Sequence, residues 1–422
     1  MTRHRLIPFF LIAVIFLCFI GNAMAGYEMR LPVGNQFIDD IRSKDRDPNA
    51  LVLTFDTSLS ESGGAGISLD GLVNVSIDWG NKVANESCQR TLTAKAQIYC
   101  DAYPYKGNFE VRISGAIDIL GSRYATIEAP GIDALVAVNQ FGNMGYTSLA
   151  GAFRGAKNLT RVPASLPVGI TNISGIFYEC EGFNDPHVSL WNTTGIVAFT
   201  NAFRGASVFN QDLDKWDVSG TTSLSMVFMF AYAFNGDITT WDTSNVTNMY
   251  SLFWRAERFN QDISNWDVSK VESLSQTFRG ASSFNADLSN WNVGRVTTLA
   301  STFNQSLAFS ADISRWDVSN VTRMSYTFHG ATSFNADISG WDVSNVSDFS
   351  YMLYGARGFN QNIGIWNTGN ATNMNGFIRG SNLSSRDLSC WNVQNITEEP
   401  YGFSSDDFPE SQKPAWGTRG CW

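Results

Sequence analysis

Histidine is nearly absent from this chain, with three residues in 422. His4 lies in the N-terminal leader, which leaves His187 and His329, too little material for a Ser-His-Asp triad or a histidine zinc site. Basic residues are outnumbered, Lys+Arg 29 against Asp+Glu 39, for a net charge of -10, which argues against nucleic acid as a partner. Long hydrophobic runs are also missing after the first, "LIPFFLIAVIFLCFI". Preceded by Arg3, His4 and Arg5 and followed by Ala23, Met24 and Ala25, that run reads as a secretory signal peptide over residues 1–25. It is short for a retained membrane anchor, and Leu17 stands before Cys18 where a lipoprotein needs a small residue. Removing Arg3 and Arg5 with the signal moves the charge from -10 to -12. The mature chain is expected to have no membrane span and to be secreted or held at the cell surface.

Six cysteines are few for 422 residues, and five remain after the signal. Cys88 and Cys100 share one small segment, and Cys390 and Cys421 are placed to tie the last repeat to the tail, so two disulfides are expected. Cys180 stands where other repeats carry Ala206, Ala256 and Ala281, and is read as a small buried residue rather than a nucleophile.

What is abundant is periodic. Trp216, Trp241, Trp266, Trp291, Trp316, Trp341, Trp366 and Trp391 follow at a constant interval of twenty-five residues, with Trp191 one step in front. Phe209 to Phe359 and Phe203 to Phe328 form two further columns at the same interval. Residues that recur in strict phase are architectural, and each Trp is read as a core position. Within one unit, Trp266 and Val268 alternate as in a strand, and Val271, Leu274, Phe278 and Ala281 step by three, four and three as on a short amphipathic helix. Gly280, Gly330 and Gly355 are placed to cap such helices.

The expected fold is therefore a mixed α/β repeat solenoid, leucine-rich-repeat-like, with parallel strands plus short helices. Ile263-x-x-Trp266-x-Val268 fits the L-x-x-L-x-L pattern. Short alternating runs over residues 51–128, such as "LVLTFDTS" and "GLVNVSIDWGN", predict a small all-β sandwich in front of it. The expected organisation is signal 1–25, linker 26–45, sandwich 46–130, repeats 131–397 and C-terminal cap 398–422.

Two acidic columns bear on chemistry. Asp217, Asp242, Asp267, Asp317 and Asp342 follow the Trp column, and Asn292, Asn367 and Asn392 replace them in other repeats, so no carboxylate pair stands out for glycoside hydrolysis. Three explanations remain open: hydrogen bonds to nearby Ser or backbone groups, weak calcium binding, or recognition of a basic partner. No other cofactor is indicated. Asp212, Asp237, Asp262, Asp287, Asp312 and Asp337 are expected to form turn hydrogen bonds, and Asn210, Asn235, Asn260, Asn285, Asn335 and Asn360 an internal ladder. The position before the Trp varies, as Lys215, Thr240, Asn265, Asn290, Arg315 and Gly340, and is read as a candidate binding surface. Tyr250, Trp254, Tyr326 and Tyr351 depart from the repeat and are the candidates for contact with sugar.

"FNQDISNWDVSKVESLSQTF" and "FNADISGWDVSNVSDFSYML" resemble the repeats of BspA-like leucine-rich-repeat surface proteins of bacteria. "VSIDWGN" and "YPYKGNFEVRISG" resemble a PKD-like module, with Asn81 where such modules carry a second acid. The resemblance implies adhesion or partner binding and no enzymatic reaction. The expected function is binding to an extracellular protein or glycan of a host or neighbouring cell through the repeat surface. A structural spacer of the cell envelope and a carbohydrate-binding protein are the alternatives, and the oligomeric state is left open.

Overall fold

A computed structural model describes residues 47–80, 88, 91–93, 96–100, 106–122 and 128–421. The signal peptide and linker expected over residues 1–45 lie outside the described residues. From Pro48 onward the chain is one compact unit.

Its first part is a sheet of six strands: β1 Leu51–Asp56, β2 Ala65–Asp78, β3 Thr91–Leu92, β4 Ala96–Cys100, β5 Asn108–Leu120 and β6 Leu135–Gln140. All pairings are antiparallel, in the order β3-β2-β5-β1-β6, with β4 also on β2. Alternation selects the buried face: Val73, Val75 and Ile77 of β2 are buried while the residues between them are exposed. The expected sandwich is thus corrected to a single sheet. Its apolar residues need no second sheet because they belong to one hydrophobic core with the repeats. The sheet passes directly into them through a parallel bridge between Ile119 of β5 and Ser148.

The repeats form a stack of coils, and here the α/β expectation is overturned. No α-helix occurs among the described residues, whose only helical segments are three short 3-10 turns, Ile132–Ala134, Pro186–Leu190 and Glu410–Gln412. No parallel strand occurs among them either; neighbouring coils meet through single bridges such as Ser273↔Thr298 and Thr298↔Arg323.

The hydrogen bonds give the reason. Over Leu274–Ala281 alternate amides leave the coil: Gln276 N–H donates to Ala300 O (3.0 Å), Phe278 N–H to Thr302 O (2.9 Å) and Gly280 N–H to Asn304 O (2.7 Å). The amides between them close turns, Thr277 N–H to Leu274 O (3.1 Å) and Arg279 N–H to Gln276 O (3.2 Å). Gln276 and Gly280 take positive φ, 59° and 66°, which an α-helix does not allow. The three-four-three apolar spacing fixes which side is buried, and successive turns satisfy it as well as a helix does. The Trp266–Val268 stretch fails to become a strand because Asp267 Oδ1 captures the Ser269 amide (2.8 Å), closing a local turn.

Inside each coil Trp266, Val268, Val271, Leu274, Phe278 and Phe284 are buried. Phe278 stacks on Phe284 at 4.0 Å and on Phe303 of the next coil at 5.6 Å. Each tryptophan also reaches back one coil, as Trp291 Nε1 donates to Ile263 O (3.0 Å) and Trp316 Nε1 to Leu288 O (3.0 Å). Cys88–Cys100 and Cys390–Cys421 are disulfides, and Cys180 is free and buried.

Among the described residues eleven non-glycine residues hold positive φ, each costing roughly 1–2 kcal/mol relative to the right-handed region. Gly280→Ala is expected to lower stability by about 1–2 kcal/mol, since a Cβ there also meets Arg255 Cγ at 3.0 Å. Gln305→Gly, at an exposed position with φ 58°, is expected to raise it by up to about 1 kcal/mol. Equilibrium denaturation of the two variants checks both signs.

Candidate functional site

The acidic columns are occupied locally. Asp317 Oδ1 accepts from Ser319 N–H (3.1 Å) and Oγ–H (2.6 Å), Asp217 Oδ1 does the same with Ser219, and Asp242 and Asp342 accept from the Ser244 and Ser344 amides (3.0 Å each). In the second column Asp262 accepts from Ser264 N–H (3.0 Å) and Asp337 from Ser339 N–H (3.0 Å). Among the described residues no group of three or more His, Cys, Asp or Glu side chains is placed to hold a metal ion. The asparagine ladder runs along the surface rather than inside: Asn235 Oδ1 accepts the Asn260 amide (2.8 Å) and Asn260 Oδ1 the Asn285 amide (2.8 Å).

These serine contacts hold the carboxyls of Asp217, Asp242, Asp262, Asp267, Asp312, Asp317 and Asp337 below the ordinary 3.8. A depressed folded value stabilises the protein above the unfolded value, and that contribution is lost as pH falls through the folded value. The melting temperature is therefore expected to fall with acid only below about pH 4. Ser319→Ala is expected to raise the Asp317 value, read by NMR titration; an unmoved Asp317 would contradict the account.

The variable column, Lys215, Thr240, Asn265, Asn290, Arg315 and Gly340, is exposed, with Asn265 Nδ2 donating to Thr239 O (2.9 Å). His187 sits 3.1 Å from buried Asp185, whose carboxylate caps the 3-10 turn and accepts the Val162 amide (2.6 Å). That pair is structural.

The departures from the repeat gather on the turns. One position per coil carries Arg154, Tyr178, Arg204, Met229, Trp254, Arg279, Asn304, His329, Tyr354 and Arg379 in succession. Several of these residues lie against their neighbours in the next coil. The Arg154 guanidinium lies 3.9 Å from the Tyr178 ring centre, Arg204 4.8 Å from the same ring, and Arg279 4.5 Å from Trp254. The result is a stripe of aromatic rings and guanidinium groups on a chain that is acidic overall.

Toward the C-terminal end the stripe widens into an open cleft of about 440 Å³ lined by Tyr326, His329, Tyr351, Tyr354, Arg379 and Tyr401 with Gly376 and Gly402. Tyr326 stacks on Tyr351 at 4.8 Å and His329 on Tyr354 at 5.1 Å, so four rings form a two-by-two array. Gly376 makes room for it, since a Cβ there would lie 2.5 Å from the Tyr351 ring. His329 Nδ1 is buried without a hydrogen bond, and burial pushes its pKa down, leaving the imidazole neutral at pH 7. A second hollow, about 560 Å³, lies among Ile365, Asn367, Asn392, Gln394 and Arg419, where Arg419 is already held by Gln394 (3.2 Å).

Of the sequence candidates for sugar contact, Tyr326 and Tyr351 enter this cleft, Trp254 lies under Arg279, and the Tyr250 hydroxyl accepts from Gln276 Nε2 (3.2 Å). All four sit on turns rather than on helices. His329 sits on a turn and is half-buried. Tyr354 and Arg379 escape the sequence reading although they follow His329 in its own column, a signal the period already contains. Tyr401 comes from the non-repeating tail, and nothing in the repeat points to it.

Comparison with known families finds one model in tandem, described as a Mycoplasma protein of unknown function, DUF285, at residues 147–244, 171–291, 222–322, 273–391 and 297–416. No curated protein and no solved structure matches the chain. The overlapping matches follow the coils described above and together span well over half of the sequence. On that span, the chain belongs to the DUF285 family of repeat proteins.

Proposed function

We propose that this is an exported surface or secreted protein of the BspA-like kind that binds a macromolecular partner, an extracellular protein or glycan, through the turn face of its coils, and that it catalyses no reaction. The observation that carries the reading is the stripe from Arg154 to Arg379, because aromatic rings and arginines are the side chains that dominate binding surfaces. Two disulfides fit an oxidising compartment. Among the described residues no helix is long and apolar enough to cross a membrane.

The test is binding of the mature chain to a panel of immobilised extracellular-matrix proteins and glycans. Saturable binding that is lost in the Arg204→Ala/Trp254→Ala/Arg279→Ala variant and kept in Lys215→Ala/Arg315→Ala supports the turn face. Loss in the second variant alone would move the site to the variable column. A spacer role is favoured by the regular bonding of coil to coil, and it predicts no saturable ligand at all.

A further inference from the structure

The cleft at the C-terminal end of the stripe differs from the rest of it in one respect. Elsewhere the guanidinium groups are engaged: Arg204 and Arg279 lie over rings, and Arg255 pairs with Glu257 (3.1 Å). Arg379 is exposed; its carbonyl accepts the Gly355 amide (2.8 Å), while its guanidinium has no hydrogen bond, ion pair or ring contact among the described residues. No carboxylate lines the cleft among the described residues, and the nearby Asp348 is occupied by the Ser350 amide (3.0 Å). The pocket therefore offers tyrosine faces and hydroxyls, a neutral imidazole and one uncompensated planar cation.

We propose that this cleft is a subsite for an acidic saccharide, in which a pyranose ring packs on the tyrosine faces and its carboxylate pairs with Arg379. The ring array supplies flat apolar surface for the C–H face of a sugar, and the phenol hydroxyls supply partners for its hydroxyl groups. The guanidinium fork matches a carboxylate in two parallel hydrogen bonds. A neutral sugar would leave that cation unanswered, and a simple anion would leave the rings uncovered. An acidic peptide has the charge without a ring of suitable shape, and becomes an outcome of the test. This inference rests on the reading of the turn face as a binding surface and names the ligand class for one part of it.

The test is a calorimetric and NMR titration of the mature chain with a glucuronate-containing disaccharide, with cellobiose and an acidic tripeptide as comparisons. Saturable binding of the uronate, at least about tenfold tighter than cellobiose, is expected. Arg379→Ala should abolish that preference and Arg379→Lys restore part of it, while Tyr351→Ala should weaken both sugars. Thermal melts confirm that these surface variants fold. Equal binding of the two sugars, tighter binding of the peptide, or no saturable binding overturns the proposal. If the Arg379 and Tyr351 variants keep full binding to a macromolecule from the panel and the Arg204/Trp254/Arg279 variant does not, the cleft assignment fails while the broader reading stands. Uronate binding with an otherwise empty panel does the opposite: the cleft assignment stands and the macromolecules of the panel are excluded as partners.

Discussion

Trp291→Ala is expected to cost about 3–5 kcal/mol and to lower the melting temperature by on the order of 10 °C. The indole is 3 % exposed. It stacks on Trp316 at 6.4 Å and lies 6.0 Å from Phe278, so its removal opens a cavity that two coils line. The Ile263 carbonyl also loses the indole N–H that satisfies it at 3.0 Å, and a buried acceptor left unpaired costs about 1–3 kcal/mol. Trp291→Phe keeps much of the volume and loses the hydrogen bond, so it should fall between the variant and the parent. In a stack each coil contacts only its neighbours, so a defect in the middle weakens coupling between the two halves. Two-step unfolding of Trp291→Ala, seen by near-UV circular dichroism and by calorimetry, would follow. A loss under about 1 kcal/mol, within the range of an ordinary surface substitution, would show that the column contributes shape without stability.

Cys390→Ser/Cys421→Ser is the second large effect. The bond joins residues 31 apart in sequence, and a loop of that size corresponds to about 3.5–4 kcal/mol of closure entropy. Its place matters as much as its size. The tail lies on the last coil through Leu388 N–H to Gln412 O (2.9 Å), Val393 N–H to Thr418 O (2.9 Å) and Gly417 N–H to Ile396 O (2.8 Å). It also brings in Phe408 and Trp416, the latter edge-on to Phe403 at 5.0 Å. Without the disulfide the tail is expected to fray, uncovering Leu388 and Trp391 and promoting self-association, because an open end of a repeat stack needs a cover. Limited proteolysis should then cut within residues 398–422 first. An unchanged melt and an uncut tail would mean that packing alone holds the cap. Cys180 is buried with its thiol donating to Phe153 O (3.0 Å) and raised in pKa by burial, so it is not expected to exchange with the pair.

The period of the repeat is legible because Trp and Phe recur without insertion from Phe203 onward, and the tandem family matches follow the same stretch. The local geometry is not legible, for a specific reason. Leu274, Phe278 and Ala281 occupy the buried side whether the chain is helical or turns on itself. The deciding features are the positive φ at Gln276 and the amide bonds to the next coil, neither of which leaves a mark in one residue type: the equivalent of Gln276 is Ser251, Ser301, Tyr326 or Gly376. The same holds at the site. Tyr326 and Tyr351 stand out in sequence as bulky departures from the repeat, whereas the cleft also needs the absence of a side chain at Gly376 and a ring from Tyr401.

The amides that leave each coil point along the stack, and this fixes how the protein answers a pull between its ends. Tension loads the coil-to-coil interfaces in series, so the weakest gives way first while the rest hold. Each coil that opens releases about 85 Å of extended chain, at about 3.3–3.6 Å per residue, before the next is strained. A molecule fixed at one end and holding a ligand in the cleft at the other would lengthen in such steps under load and keep its distal grip, which is how an extensible tether behaves.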